Sequence, residues 1–224
     1  MKLPLFRFAL CVSIAAAAGF AASACSSGDH AVGPSGPTQT DTLMVAASQT
    51  GFVQSGAGDQ AFAAPGSDIR VGDDAAKDPL IDVRGFVGFD LSGLPSGIHI
   101  TSAMLIATQC SVAGSPFDLG DVVLDHVSYA VPFDTTAYSV TPLASLVGTI
   151  SSDTTLGARR VSVTSSVADD IAKGRSSSQF RLRMSTTNEA GNGPSNQVIF
   201  ASDSANTADC VPASSEQPRL VVTY

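Results

Sequence analysis

Two arginines in the last quarter of the chain have the spacing of a ligand-binding pair. Arg181 and Arg183 alternate with apolar residues over 180–184, so a β-strand here puts both guanidinium groups on one face, about 6.5–7 Å apart. Guanidinium groups bind carboxylates through paired hydrogen bonds, so an acidic polysaccharide suits such a face. Arg84 and Arg219 also lie in strand-like runs and are candidates for the same face. The alternative is that these arginines pair with Asp or Glu on a neighbouring strand.

The rest of the sequence shows no recognisable catalytic or metal-binding motif. The histidines, His30, His99 and His126, have neither HxH nor HExxH spacing, so we expect no zinc site and no special partner for them. There is no GxSxG motif of a serine hydrolase. Glu189 and Glu216, the only glutamates, fall in loop-like stretches, which does not favour the carboxylate pair of a glycoside hydrolase. We therefore expect no catalytic residues, no metal and no cofactor, and a protein that is not an enzyme.

Residues 1–24 have the features of a signal peptide. Lys2 and Arg7 give a positive start, and the uncharged apolar run over 8–20 is too short to span a bilayer as a helix. The next residues, Ala22-Ser23-Ala24-Cys25, resemble the bacterial lipobox, in which the cysteine becomes the acylated N-terminus. This predicts a palmitate-type lipid anchor on Cys25 in the bacterial cell envelope. The alternative is ordinary secretion after cleavage at the same place.

The segment 25–41 has the composition of a flexible tether, because Ser, Gly, Pro and Thr dominate it. The whole chain of 224 residues has 12 Lys and Arg against 20 Asp and Glu, a net charge of −8. Removal of Lys2 and Arg7 with the signal peptide leaves 10 basic and 20 acidic residues, a charge of −10. This balance argues against a nucleic-acid partner, and it means that acyl chains rather than charge would hold the protein to a membrane.

The remaining cysteines agree with export. Cys11 lies in the signal peptide and Cys25 is the predicted lipid site, which leaves Cys110 and Cys210. Two cysteines in an oxidising compartment most simply pair with each other, so we predict a disulfide bond. Two buried free thiols are the alternative.

The body of the chain, 42–224, is predicted to be a single all-β domain. Short runs of Val, Ile, Phe and Thr alternate with Gly, Pro, Ser and Asp clusters. The predicted strands are 42–47, 51–54, 68–71, 84–91, 98–109, 121–131, 145–150, 159–163, 179–185, 197–202 and 218–224. The exception is 165–174, which has the pattern of a short helix capped by Ser166, with Val167 and Ile171 on one face and Gly174 at its end.

Several blocks in this body resemble DNRLRE-type domains, which are related to carbohydrate-binding module family 96 and to disaggregatase-related repeats. The most specific block is FDLSGLPSG over Phe89–Gly97. Weaker ones are Asp68–Gly72, the VTSSV run that begins at Val163, and the ending PRLVVTY over Pro218–Tyr224. The resemblance covers roughly 42–224.

This resemblance implies a jelly-roll-type antiparallel β-sandwich without catalytic activity, and in some members a domain that binds acidic polysaccharide. The expected function is therefore a non-catalytic envelope lipoprotein that carries a binding module, with Arg181 and Arg183 as the candidate contacts. The alternative is a structural or adhesive surface lipoprotein without a defined sugar site.

Overall fold

The computed structural model describes residues 38–55, 61–74, 81–186, 195–202, 210 and 217–224. The predicted signal peptide, the predicted lipid site Cys25 and most of the predicted tether lie outside these ranges. The described residues form one α-helix, α1 (Thr164–Ala172), and twelve strands. The strands are β1 Thr40–Met44, β2 Gly51–Gln54, β3 Phe62–Pro65, β4 Ile69–Asp74, β5 Ile81–Asp90, β6 Ser102–Ala113, β7 Val122–Val127, β8 Ala144–Ser151, β9 Gly157–Ser162, β10 Ser177–Met184, β11 Asn196–Phe200 and β12 Arg219–Thr223.

The strands are paired antiparallel throughout, in the order β1-β12-β6-β11-β4-β5-β10-β7-β8. In addition, β2 pairs with β5 and with β3, and β9 pairs with β6. The sheet folds over so that β5, β7 and β10 on one side and β6, β9 and β12 on the other bury their apolar faces in a common core. The predicted all-β antiparallel sandwich with one short helix is therefore confirmed.

The main core follows the period-two pattern of the sequence. Phe180, Leu182 and Met184 of β10 all point into it, as predicted, and they pack with residues such as Leu105 of β6 and Leu220 of β12. Successive strand residues point to opposite faces, so the same alternation places Arg181 and Arg183 on the outer face of β10. The position of the arginines is thus a direct consequence of core formation.

A second, smaller apolar cluster lies on the outer face of the sheet. The loop between β7 and β8, residues 128–143, turns back over β5 and β10, and we call it the covering loop. It buries Tyr129, Phe133 and Ala137 against Phe86 of β5. The sequence predicted a strand as far as 131, but β7 ends at Val127, because the residues after it leave the sheet to form this cover.

The helix lies close to its predicted position, but its start differs. Val163 is the residue before the first turn, and no side chain caps the helix N-terminus. The predicted capping role of Ser166 is therefore wrong: Ser166 lies inside the helix and is buried. The end matches the prediction, because Gly174 adopts a left-handed conformation with φ +65° just beyond the last turn. Among the described residues, no helix is long and apolar enough to cross a membrane.

Two smaller differences concern the N-terminal part of the domain. β1 begins at Thr40, two residues before the predicted boundary, because Thr40 and Asp41 pair with Thr223 and Val222 of β12. β3 was not predicted, since Phe62-Ala63-Ala64-Pro65 contains no β-branched residue and ends in proline. Such a segment is tolerated because β3 is paired on one side only, with β2.

The predicted disulfide is confirmed. Cys110 near the end of β6 is bonded to Cys210, with 5.6 Å between the two Cα atoms and a sequence separation of 100. The bond therefore ties Cys210 to β6, an inner strand of the sheet. A disulfide in a chain with a predicted signal peptide is consistent with an oxidising, extracytoplasmic location.

Candidate functional site

The two candidate arginines lie side by side on the outer face of β10 and share one carboxylate. Asp125 of β7 is directly opposite Arg181 in the strand register. Arg181 donates to Asp125 Oδ2 from Nη2 at 2.8 Å and from Nε at 3.3 Å. Arg183 donates to the same carboxylate, from Nε to Oδ2 at 2.9 Å and from Nη2 to Oδ1 at 3.3 Å. The arrangement is cross-strand ion pairing, the alternative to a ligand site that the sequence left open for these arginines.

The covering loop closes this face over Arg181. The remaining guanidinium nitrogen of Arg181, Nη1, donates to the carbonyl oxygens of Tyr138 at 3.0 Å and Val140 at 2.9 Å. Arg181 is only 5% exposed, whereas the side chain of Arg183 is 23% exposed. Of the predicted pair, Arg183 is therefore the more accessible to solvent.

Arg84 joins the same face, as the sequence suggested. It donates to Asp82 Oδ2 at 3.0 Å and to the carbonyl oxygen of Tyr138 at 2.9 Å, and its guanidinium lies 3.9 Å from the centre of the Tyr138 ring. Arg84 and Arg181 thus hold the covering loop through the same carbonyl group. Arg219 does not belong to this face, because it lies on β12, which is not a neighbour of β10.

Asp125 remains ionised although it is 1% exposed. Burial acts to raise the pKa of Asp125, but hydrogen bonds from Arg183, from Arg181 and from the Leu146 backbone N–H outweigh it, so the pKa lies below the usual aspartate value. Leu146, in β8, has a left-handed backbone with φ +53°, which is unusual for a residue with a branched side chain. Its N–H bond to Asp125 is one contact that holds this conformation.

All three tyrosines of the chain have raised pKa values. Burial raises the pKa of Tyr129 well above 10. Burial and the 2.6 Å hydrogen bond to Asp82 raise the pKa of Tyr138. The hydrogen bond that Tyr224 donates to Asp41 raises the pKa of Tyr224 to about 12. None of these phenols is an activated base or nucleophile.

A second polar cluster joins α1 to β7, and no motif in the sequence indicated it. His126 Nε2 lies 2.9 Å from Oδ1 and 3.0 Å from Oδ2 of Asp170, and both side chains are buried. Arg175 Nη1 donates to Asp170 at 2.7 Å and to Asp169 at 2.8 Å, and Lys173 pairs with Asp169 at 2.9 Å. The hydrogen bonds from Arg175, and then from Lys173, lower the pKa of Asp169.

The expectation that His126 has no partner is therefore wrong. The residue that could have indicated its partner is Asp170, which follows Ser166 by four positions and therefore shares the buried helix face. His99, by contrast, is exposed in the loop before β6. His30, Glu189 and Glu216 lie outside the described residues.

A cavity of about 250 Å³ opens beside this cluster, between α1 and the start of β8. His126, Ser165, Ser166, Asp169 and Lys173 contribute to its lining. One ligand atom each from His126, Asp169 and Asp170 lies within 4.8 Å of the others. Among the described residues, this group has the composition and spacing to hold a metal ion. Arg84, Arg181 and Arg183 form what we call the arginine face. Its guanidinium groups are paired with Asp82 or Asp125, which is the chemistry of a structural ion-pair network.

The comparisons with known proteins add no relative. No protein-family model matches the chain, and no curated protein matches it with significant similarity. The function is therefore argued from the chain's own residues.

Proposed function

We propose that this protein is a non-catalytic bacterial envelope lipoprotein whose β-sandwich serves as a structural or adhesive surface domain without a defined sugar site. The observation that supports this most is the closed arginine face. The guanidinium of Arg181 makes all its hydrogen bonds within the protein, to Asp125 and to the carbonyl groups of the covering loop. A polyuronate would have to displace these contacts before it could bind there.

The lipid anchor is the part of this proposal that localisation tests directly. Acylation of Cys25 predicts that the Cys25→Ser protein moves from the membrane fraction to the soluble fraction. Cys11→Ser is the matched control, because Cys11 is removed with the signal peptide and its substitution should leave the location unchanged. A Cys25→Ser protein that still needs detergent for extraction would contradict the anchor.

Binding of acidic polysaccharide is the second candidate function. Its support is the resemblance around Phe89–Gly97 together with two cationic side chains that solvent can reach. Arg183 is partly exposed, and Arg160 of β9 is exposed with no partner among the described residues. Weak charge-assisted contacts of this kind need several participants and decrease with salt.

A glycan array distinguishes the two candidates. The soluble Cys25→Ser protein is applied to polyuronates and to neutral glycans of matched length at low salt. The structural or adhesive function predicts no binding above background to either. Binding to polyuronates that is lost in Arg160→Ala and Arg183→Ala variants would favour the polysaccharide-binding module.

A further inference from the structure

The cluster between α1 and β7 is held by ion pairs, and it also gathers oxygen atoms around a buried imidazole at the spacing of a metal site. Ser166, Asp169 and Asp170 follow one another at positions i, i+3 and i+4, which puts them on one face of α1. This face is directed at His126 of β7, since His126 Nε2 lies 2.9 Å from Asp170 Oδ1. One nitrogen and three oxygen groups are thus gathered by only two elements of the fold.

Ser166 adds a hydroxyl group to this cluster. The residue is 4% exposed and lines the cavity together with His126. Its hydroxyl is not one of the fully buried atoms that lack a hydrogen-bond partner, so a water molecule in the cavity can reach it. The cavity therefore offers an oxygen partner for such a water beside an imidazole and two carboxylates.

The spacing of the His126 nitrogen and the Asp169 and Asp170 carboxylates suits a small divalent cation. Their ligand atoms lie within 4.8 Å of one another. Zinc binds histidine nitrogen and carboxylate oxygen at about 2.0–2.2 Å, which in a tetrahedral site separates the ligand atoms by roughly 3.4 Å. A shift of the partly exposed Asp169 side chain would bring its carboxylate to this separation.

The charges near the site are compatible with a replaceable cation. Two carboxylates carry −2 in total, and Lys173 and Arg175 now balance them. The side chain of Lys173 is 59% exposed and that of Arg175 is 23% exposed, so both can turn towards solvent. A divalent ion would take over the same charge balance from a position closer to the imidazole.

We propose that His126, Asp169 and Asp170 bind a divalent transition-metal ion, with Zn²⁺ as the best match. A water molecule in the cavity completes the coordination, and the Ser166 hydroxyl is its hydrogen-bond partner. Three protein ligands and one water are a common zinc arrangement. The site goes beyond the proposed surface function and does not depend on it.

Metal titration of the tag-free mature protein tests this assignment. After treatment with a chelator, the protein is titrated with ZnCl₂ by calorimetry, and with Co²⁺ while its visible absorption is followed. We expect one equivalent to bind. Asp169→Asn should weaken binding by about tenfold or more. The matched control is Asp153→Asn, which removes another arginine-paired surface aspartate at the turn between β8 and β9 and should leave binding unchanged.

Lys173→Gln provides an independent readout in a variant that should fold normally, since Lys173 is mostly exposed. It removes a competing ammonium group from Asp169, so the zinc affinity should rise. Adding Asp169→Asn to the Lys173→Gln protein should still weaken zinc binding. The proposal is overturned if the unmodified protein binds no Zn²⁺ at millimolar concentration. It is also overturned if Asp169→Asn binds as tightly as the unmodified protein, which would place the metal on His30 or His99.

Discussion

Replacing Arg181 by methionine is the most direct test of whether the arginine face is structural. Methionine keeps most of the aliphatic stem but removes the charge and every donor. Asp125, which is 1% exposed, would lose two hydrogen bonds, and the carbonyl groups of Tyr138 and Val140 would each lose one. The substitution therefore affects both the buried carboxylate of Asp125 and the covering loop.

The size of the stability loss in Arg181→Met depends on the hydrogen-bond partners that Asp125 keeps. Leaving a buried charge without its partner costs about 3–5 kcal/mol, but Arg183 and the Leu146 N–H still bind this carboxylate. We therefore expect the lower end, a loss of about 3 kcal/mol in the free energy of unfolding. For a domain of this size that corresponds to a decrease of roughly 6–12 °C in Tm. Arg183→Met, which removes the partly exposed arginine, should cost only about 1 kcal/mol.

Urea unfolding followed by far-ultraviolet circular dichroism, with the disulfide oxidised, measures both effects. A double-mutant cycle with Asp125→Asn isolates the pair, because removing both charges should cost less than the sum of the two single substitutions. Equal effects of less than 1 kcal/mol for Arg181→Met and Arg183→Met would refute the structural assignment. The arginines would then be available to a ligand, and the polysaccharide-binding function would become the better candidate.

The pH dependence of stability provides a check on the same network. The folded-state pKa of Asp125 lies below its value in the unfolded chain, so its ionised form stabilises the protein above about pH 4. That contribution is lost as the pH falls through the folded-state pKa. In the Arg181→Met protein the pKa depression is smaller, so less stability should be lost on acidification below about pH 4, and the loss should be complete at a higher pH than in the unmodified protein.

Three further predictions concern other parts of the molecule. Non-reducing peptide mapping should recover one linked pair, Cys110 with Cys210, and reduction should lower the free energy of unfolding by up to about 4–5 kcal/mol. Two thiols that can be alkylated in the folded, unreduced protein would contradict the bond. At pH 10.5 the folded protein should absorb far less at 295 nm than the urea-unfolded protein, because all three tyrosine pKa values are raised. If the phenol groups of the folded protein were half ionised at pH 10, the pKa values would not be raised. Gly72→Ala should destabilise the fold by several kcal/mol or prevent folding, because φ at Gly72 is +140° and an added Cβ would clash with the Asn196 carbonyl oxygen. Gly93→Ala is the control, because the space around Gly93 is open, and it should change stability by less than about 0.5 kcal/mol. Similar effects of the two substitutions would argue against the close approach of β4 and β11.

The class of fold could be predicted because it depends on local pattern. Alternation of apolar and polar residues over five or six positions is sufficient to predict a half-buried strand, and it placed Phe180, Leu182 and Met184 in the core. The short helix could be recognised from its spacing and its terminal glycine. The disulfide followed from the number of cysteines left after the signal peptide and Cys25 were set aside.

The partners of the polar residues depended on tertiary structure. Asp125 is opposite Arg181 only because β7 and β10 pair in one register across 56 residues, and a shift of one residue would put the carboxylate on the other face. His126 meets Asp170, at a sequence separation of 44, because α1 packs beside β7. Alternation shows which face of a strand a side chain occupies, whereas the neighbouring strand, the helix or the covering loop that meets that face is determined by long-range packing. The sequence therefore placed the arginines on an outer face, and only the folded chain determined that this face is covered.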